Sequence, residues 1–91
     1  MAQEPARPIL ADTAPIEDRL TAYDRANLIT YLRLLDAAAE GAEWTEVARV
    51  LLEIDPVEQP GRAKVRYDSH LARARWVTDR GYLEFLRSSR D

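Results

Sequence analysis

The only histidine, His70, follows Ser69, and a serine beside a histidine is the beginning of a nucleophile and base pair. On a helix, adjacent residues point about 100° apart, which keeps Ser69 from making the nucleophile-to-base hydrogen bond. Ser88 and Ser89 would reach His70 only through tertiary folding. Glu40, Glu43 and Glu46 gather around a turn between helices, but their spacing does not converge on a metal, and acidic residues near a helix N-terminus have a simpler dipole explanation. The chain has no cysteine and three glycines, so it offers no thiolate ligand, no disulfide and no phosphate-cradling glycine loop. The expectation is a protein without enzymatic activity, metal or cofactor, in which His70 is a packed or hydrogen-bonded helix residue.

What chemistry remains is cationic. The stretch HLARARWVTDRGY, residues 70–82, carries His70, Arg73, Arg75, Trp76 and Arg80. At about 100° per residue, Arg62, Arg66, Arg73 and Arg80 fall within about 40° of one another and form one arginine stripe. Val65, Ala72 and Trp76 line one flank of it, and Ala63, Tyr67, His70, Leu71, Ala74 and Val77 the other. A helix with two apolar flanks either sits centrally among other helices or presents one flank to a partner. The stripe resembles a DNA-facing surface, yet the net charge is −3. Residues 1–61 hold 5 basic and 12 acidic side chains, a balance of −7, whereas residues 62–91 hold 8 and 4, a balance of +4. Either the two halves neutralise one another across surface pairs, or the basic half is a binding patch.

The elements that must position these residues are helical. Pro5, Pro8 and Pro15 argue against regular structure before about residue 18, which predicts a flexible N-terminal tail over 1–18 and a folded domain over 19–88. Ile9, Leu10 and Ile16 within the tail can still pack locally. Leu28, Leu32, Leu35 and Ala39 recur at helical spacing with Tyr31 and Leu34 beside them, and Thr21 with Asp24 three residues on resembles a capping box. With Gly41 as a stop, the first helix spans about 22–40. A second, short helix follows Thr45 as N-cap, with Val47, Val50, Leu51 and Ile54 on one face and Pro56 limiting its length. Trp44 sits before that cap as a packing lid on the turn between the first two helices. A third helix spans about 61–80, and Tyr82, Phe85 and Leu86 predict a last short helix folding back on the core.

The expected fold is therefore all-α, a small domain of four to five helices whose order is that of a helix-turn-helix unit. The turn from Asp55 to Pro60 is longer than the usual three or four residues. The second helix, which should lie over the DNA backbone, offers Arg49 against Glu43, Glu46, Glu53, Asp55 and Glu58. Those carboxylates would face phosphates, and phosphate neutralisation dominates binding of this kind. Charge alone thus ranks a protein-binding role above DNA binding.

The phrases YLRLLDA, GAEW, EVARVLL, DP, HLARARW and RGY together resemble, over most of residues 20–87, an extended-turn helix-turn-helix family found in regulators of proteobacterial integrative and conjugative elements. The family contains activators of excision and transfer, whose basic copy of the domain follows an N-terminal domain and packs on it. It also contains stand-alone acidic antiactivators that occupy the activator's N-terminal domain in place of its own copy. The chain has no room for a second domain and its second-helix side is acidic, so the resemblance implies an antiactivator. Its implied partners are a transcriptional activator of excision and transfer and a LuxR-type quorum-sensing activator, without DNA.

On that reading the partner-binding residues are Tyr31 and Leu34 on the first helix, Arg73, Arg75, Trp76 and Val77 on the third, and Tyr82 after the glycine. Glu43, Glu46, Glu53, Asp55 and Glu58 keep the molecule off DNA. No segment approaches the roughly 20 apolar residues of a membrane span, and the expected compartment is the cytoplasm. The alternatives are a DNA-binding helix-turn-helix regulator, an activator fragment needing a separate partner domain, and an antitoxin-like or scaffold protein.

Overall fold

A computed structural model describes residues 10–81 and contains four α-helices: α1 (Ala22–Ala26), α2 (Leu28–Ala39), α3 (Trp44–Leu51) and α4 (Pro60–Trp76). One turn of π-helix, Val77–Gly81, extends α4. The all-α helical fold is as expected. The last helix around Tyr82, Phe85 and Leu86 lies outside the described residues.

Local chemistry explains the boundaries. Thr21 caps α1 by accepting from the Asp24 N–H while the Asp24 carboxylate accepts from the Thr21 N–H, completing the box. The helix expected over 22–40 is interrupted at Asn27, whose side-chain amide donates to the Tyr23 carbonyl at 2.9 Å and whose backbone leaves helical geometry. α2 ends in a Schellman turn: Gly41 has φ +74°, its N–H reaches Ala38, and the Ala42 N–H reaches Ala37. α3 stops three residues earlier than the apolar pattern through Ile54 implies, because Glu53 takes φ +56° and the Ile54 N–H returns to the Ala48 carbonyl. The connection from α3 to α4 therefore covers residues 52–59. Asp55 builds its turn by accepting from the Val57 and Glu58 N–H groups, and Pro60 starts α4 where its missing N–H costs nothing.

α4 packs on both α2 and α3 around a core of Leu20, Tyr31, Leu34, Val47, Leu52, Ile54 and Val77, with the fully buried alanines Ala48, Ala63 and Ala74 letting the helices approach closely. Trp44 lies against α4, with its ring 6.1 Å from that of Tyr67 and beneath the Lys64 ammonium, so it covers the α3 to α4 contact rather than the α2 to α3 turn. Residues 10–20 form no helix or strand and lie as an arm along α4: Ala14 and Leu20 are buried and Leu10 packs against the core, while Ile16 is exposed.

Candidate functional site

The arginine stripe is real, and most of it is engaged from within. Arg73, only 4% exposed, donates from Nε and Nη2 to the two carboxylate oxygens of Asp24 at 3.0 and 2.7 Å, and its remaining donors meet the carbonyls of Glu17 and Arg19. Asp24 is completely buried and also accepts from Thr21 and from the Tyr31 hydroxyl at 2.7 Å. Burial alone would raise its carboxyl, but these hydrogen bonds, that of Arg73 foremost, hold it below the usual carboxylate range. One acid thus caps α1 and ties the arm and α1 to α4.

Two turns earlier, Arg62 and Arg66 converge on Asp12 of the arm. Arg62 reaches it through Nη2 at 2.8 Å and Nε at 3.2 Å, and Arg66 through Nη2 at 2.8 Å. Hydrogen bonds from Arg62, then from Arg66, hold the Asp12 carboxyl down to about 2. Between these anchors, the Ala14 N–H donates to Ser69 Oγ and the Ala11 N–H to the Tyr23 hydroxyl. His70 is fully buried, with Nδ1 2.7 Å from the Arg66 carbonyl and Nε2 2.6 Å from the Tyr23 hydroxyl. A carbonyl only accepts, so Nδ1 carries the proton and Nε2 accepts from Tyr23. Desolvation holds His70 neutral, with its pKa below the ordinary value. Ser69 Oγ comes within 3.4 Å of Nδ1, closer than helix geometry suggests, but that nitrogen is protonated and cannot act as its base.

The sequence-proposed contact residues divide accordingly. Tyr31 and Leu34, expected as exposed edges, are each 1% exposed and form the core, while Leu28 and Leu35 pack half-buried at its margin and Leu32 is exposed. Arg73 is internal and lies 4.0 Å from the centre of the Trp76 ring, and Val77 is buried. Arg75 is exposed, and Trp76 is half-buried beside Ala14, Pro15, Ile16 and Ala72. Tyr82 lies outside the described residues. Glu43, Glu46, Glu53, Asp55 and Glu58 are all exposed.

Periodicity ranked the α2 faces wrongly, and a surface was missed as a result. Leu32 and Ile29 are 57% and 64% exposed, and Leu28, Leu32 and Leu35 line an apolar hollow of about 210 Å³ closed on the other side by Ala74, Val77 and Thr78. The signal for it was the second apolar stripe on α2, one more than a single core needs.

On the helix-turn-helix side, the cations of α3, the turn and the first half of α4 all have anionic partners. Arg49 pairs with Glu46 at 3.4 Å, Arg62 and Arg66 with Asp12 at 2.8 Å, and Lys64 with Asp68 at 3.2 Å. The outward line of α4, which would point into a groove, is Gly61, Val65, Asp68 and Ala72.

A family described as the DNA-binding domain of a type VI secretion (T6SS) transcription factor, the RovC DNA-binding domain family, matches residues 3–87. The chain belongs to this family. Its helical fold, with four α-helices among the described residues and α3 and α4 joined by an extended turn, is thus a transcription-regulator domain of helix-turn-helix type. No curated protein matches it. Among the described residues of this RovC-type domain, no helix is long and apolar enough to cross a membrane.

Proposed function

We propose that this domain regulates transcription through a protein contact, as an antiactivator of the QseM type. It binds the N-terminal domain of a transcriptional activator of excision and conjugative transfer in place of the activator's own helix-turn-helix domain. The observation that carries this reading is the charge state of the side that should meet DNA. Each cation there already faces a carboxylate, and Glu43, Asp55 and Glu58 add exposed negative charge. A phosphate backbone approaching that surface meets repulsion where binding depends on attraction. The apolar hollow beside Leu28, Leu32 and Leu35 supports the complementary half of the reading, a face suited to protein.

An inhibitor acting in trans competes with an intramolecular contact at high effective concentration, so it must bind more tightly or capture the activator while its domains are apart. A LuxR-type quorum-sensing activator is a second target on the same reading. The family's own description favours a different function, a DNA-binding regulator. Two measurements on the full chain separate them: anisotropy of a labelled DNA duplex at low salt, and activator-driven transcription in vitro. Loss of transcription without a change in anisotropy is expected. Roughly micromolar duplex binding that disappears as salt rises overturns the antiactivator and establishes the DNA reader.

A further inference from the structure

Two guanidinium groups from successive turns of α4 meet at one oxygen, Asp12 Oδ1, each at 2.8 Å. Planar forks converging on a single oxyanion are the arrangement by which arginines hold phosphate. Arg66 keeps its place independently of Asp12: its side chain is 9% exposed, and Nη1 donates to the Leu52 carbonyl at 2.9 Å. Its Nε is buried without an acceptor among the described residues, so Nη2 is the donor that Arg66 turns toward the anion. The occupying anion, by contrast, is accessible, since the Asp12 and Arg62 side chains are 50% and 52% exposed. Water and ions reach such a pair, which makes it exchangeable. The cluster lies beside the end of α3 and the first two turns of α4, where a helix-turn-helix domain approaches the DNA backbone.

We propose that Arg62 and Arg66 form a binding site for a backbone phosphate of DNA and that Asp12 fills it, so that the N-terminal arm is a built-in competitor of DNA. The inference rests on the reading above, in which the wild-type domain leaves DNA alone, and it names the device responsible. Asp12 stands where a phosphate oxygen would stand, and the backbone anchors at Ala11 and Ala14 hold it there. Removing its charge unmasks the site.

The experiment compares full-length wild type, Asp12→Asn and Asp36→Asn by anisotropy on one labelled duplex. Asp36 is an exposed α2 residue whose replacement changes net charge equally, away from α4. Asp12→Asn is expected to bind at least about tenfold more tightly than either, with the gain lost between about 50 and about 200 mM salt. Adding Arg62→Gln to Asp12→Asn is expected to abolish the gain. A folded Asp12→Asn that binds no better than Asp36→Asn overturns the inference, as does a gain that survives Arg62→Gln. Circular dichroism reports folding, and Asp12→Ala serves as a second variant should the asparagine unfold the chain. Duplex binding by the wild type would sink the proposed function instead, and the ratio of Asp12→Asn to wild type would still decide the inference.

Discussion

His70 and Asp24 show how much one side chain sets in this small domain. His70 is neutral because burial, helped by the nearby Arg66 charge, disfavours its cation, and these outweigh the opposing hydrogen bond from Nδ1 to the Arg66 carbonyl. Its folded pKa lies below the ordinary 6.5, so below that pH the unfolded chain binds a proton that the folded chain does not. Stability from this group is complete above about 6.5 and declines as pH falls toward the folded value. Urea midpoints measured from about pH 7 down to about pH 5 should fall for wild type and remain flatter for His70→Gln. Asp24 acts through its charge. Asp24→Ala leaves the buried Arg73 guanidinium without its counterion and should cost about 3–5 kcal/mol in a denaturation titration. An unchanged midpoint would mean that Arg73 finds another acceptor.

Among the elements, the ends of α2 and α4 follow from single residues. Gly41 sits at φ +74° with open space around its Cα, so a methyl group there meets no neighbour and the cost is backbone strain alone. Gly41→Ala should lower stability by about 1 kcal/mol, with the helical circular dichroism signal retained. Pro60, expected as the last residue of the turn, is the first residue of α4, whereas the capping box of Thr21 and Asp24 and the Gly41 stop were readable from sequence because each depends on residues within one turn. The break at Asn27 and the early end of α3 at Leu51 were not. Asn27 is tolerated in helices, and a positive φ at Glu53 has no side-chain signature.

Across the whole molecule, the decisive event is the docking of the arm and α1 on α4. Asp12 binds residues 50 and 54 positions away, and Asp24 binds Arg73 49 positions away. These links turn an arginine stripe into an internal strut, and among the described residues one apolar side of α2 is left exposed at Ile29 and Leu32. If that side captures an activator, Leu32→Glu should abolish inhibition of transcription while changing stability by no more than about 0.5 kcal/mol. Leu34→Ala, in the core, should instead cost about 2–5 kcal/mol. Inhibition by Leu32→Glu equal to wild type would move the contact away from this hollow.

The amino-acid sequence determined the all-α class, the order of the helices, the Thr21 cap, the Gly41 stop and the alignment of Arg62, Arg66 and Arg73 on one face of α4. Those features depend on helical periodicity and on neighbours within a few residues. It did not determine the start of α3, where Glu43 and not Thr45 is the N-cap and Trp44 and Thr45 lie inside the helix. Tertiary structure alone decided which of the two α2 stripes is buried, that Tyr31 and Leu34 are core rather than surface, and that the stripe's charge is answered from within. A 3.6-residue period gives a face but not its partner. Only the long-range ion pairs of Asp12 and Asp24 fix which way that face turns.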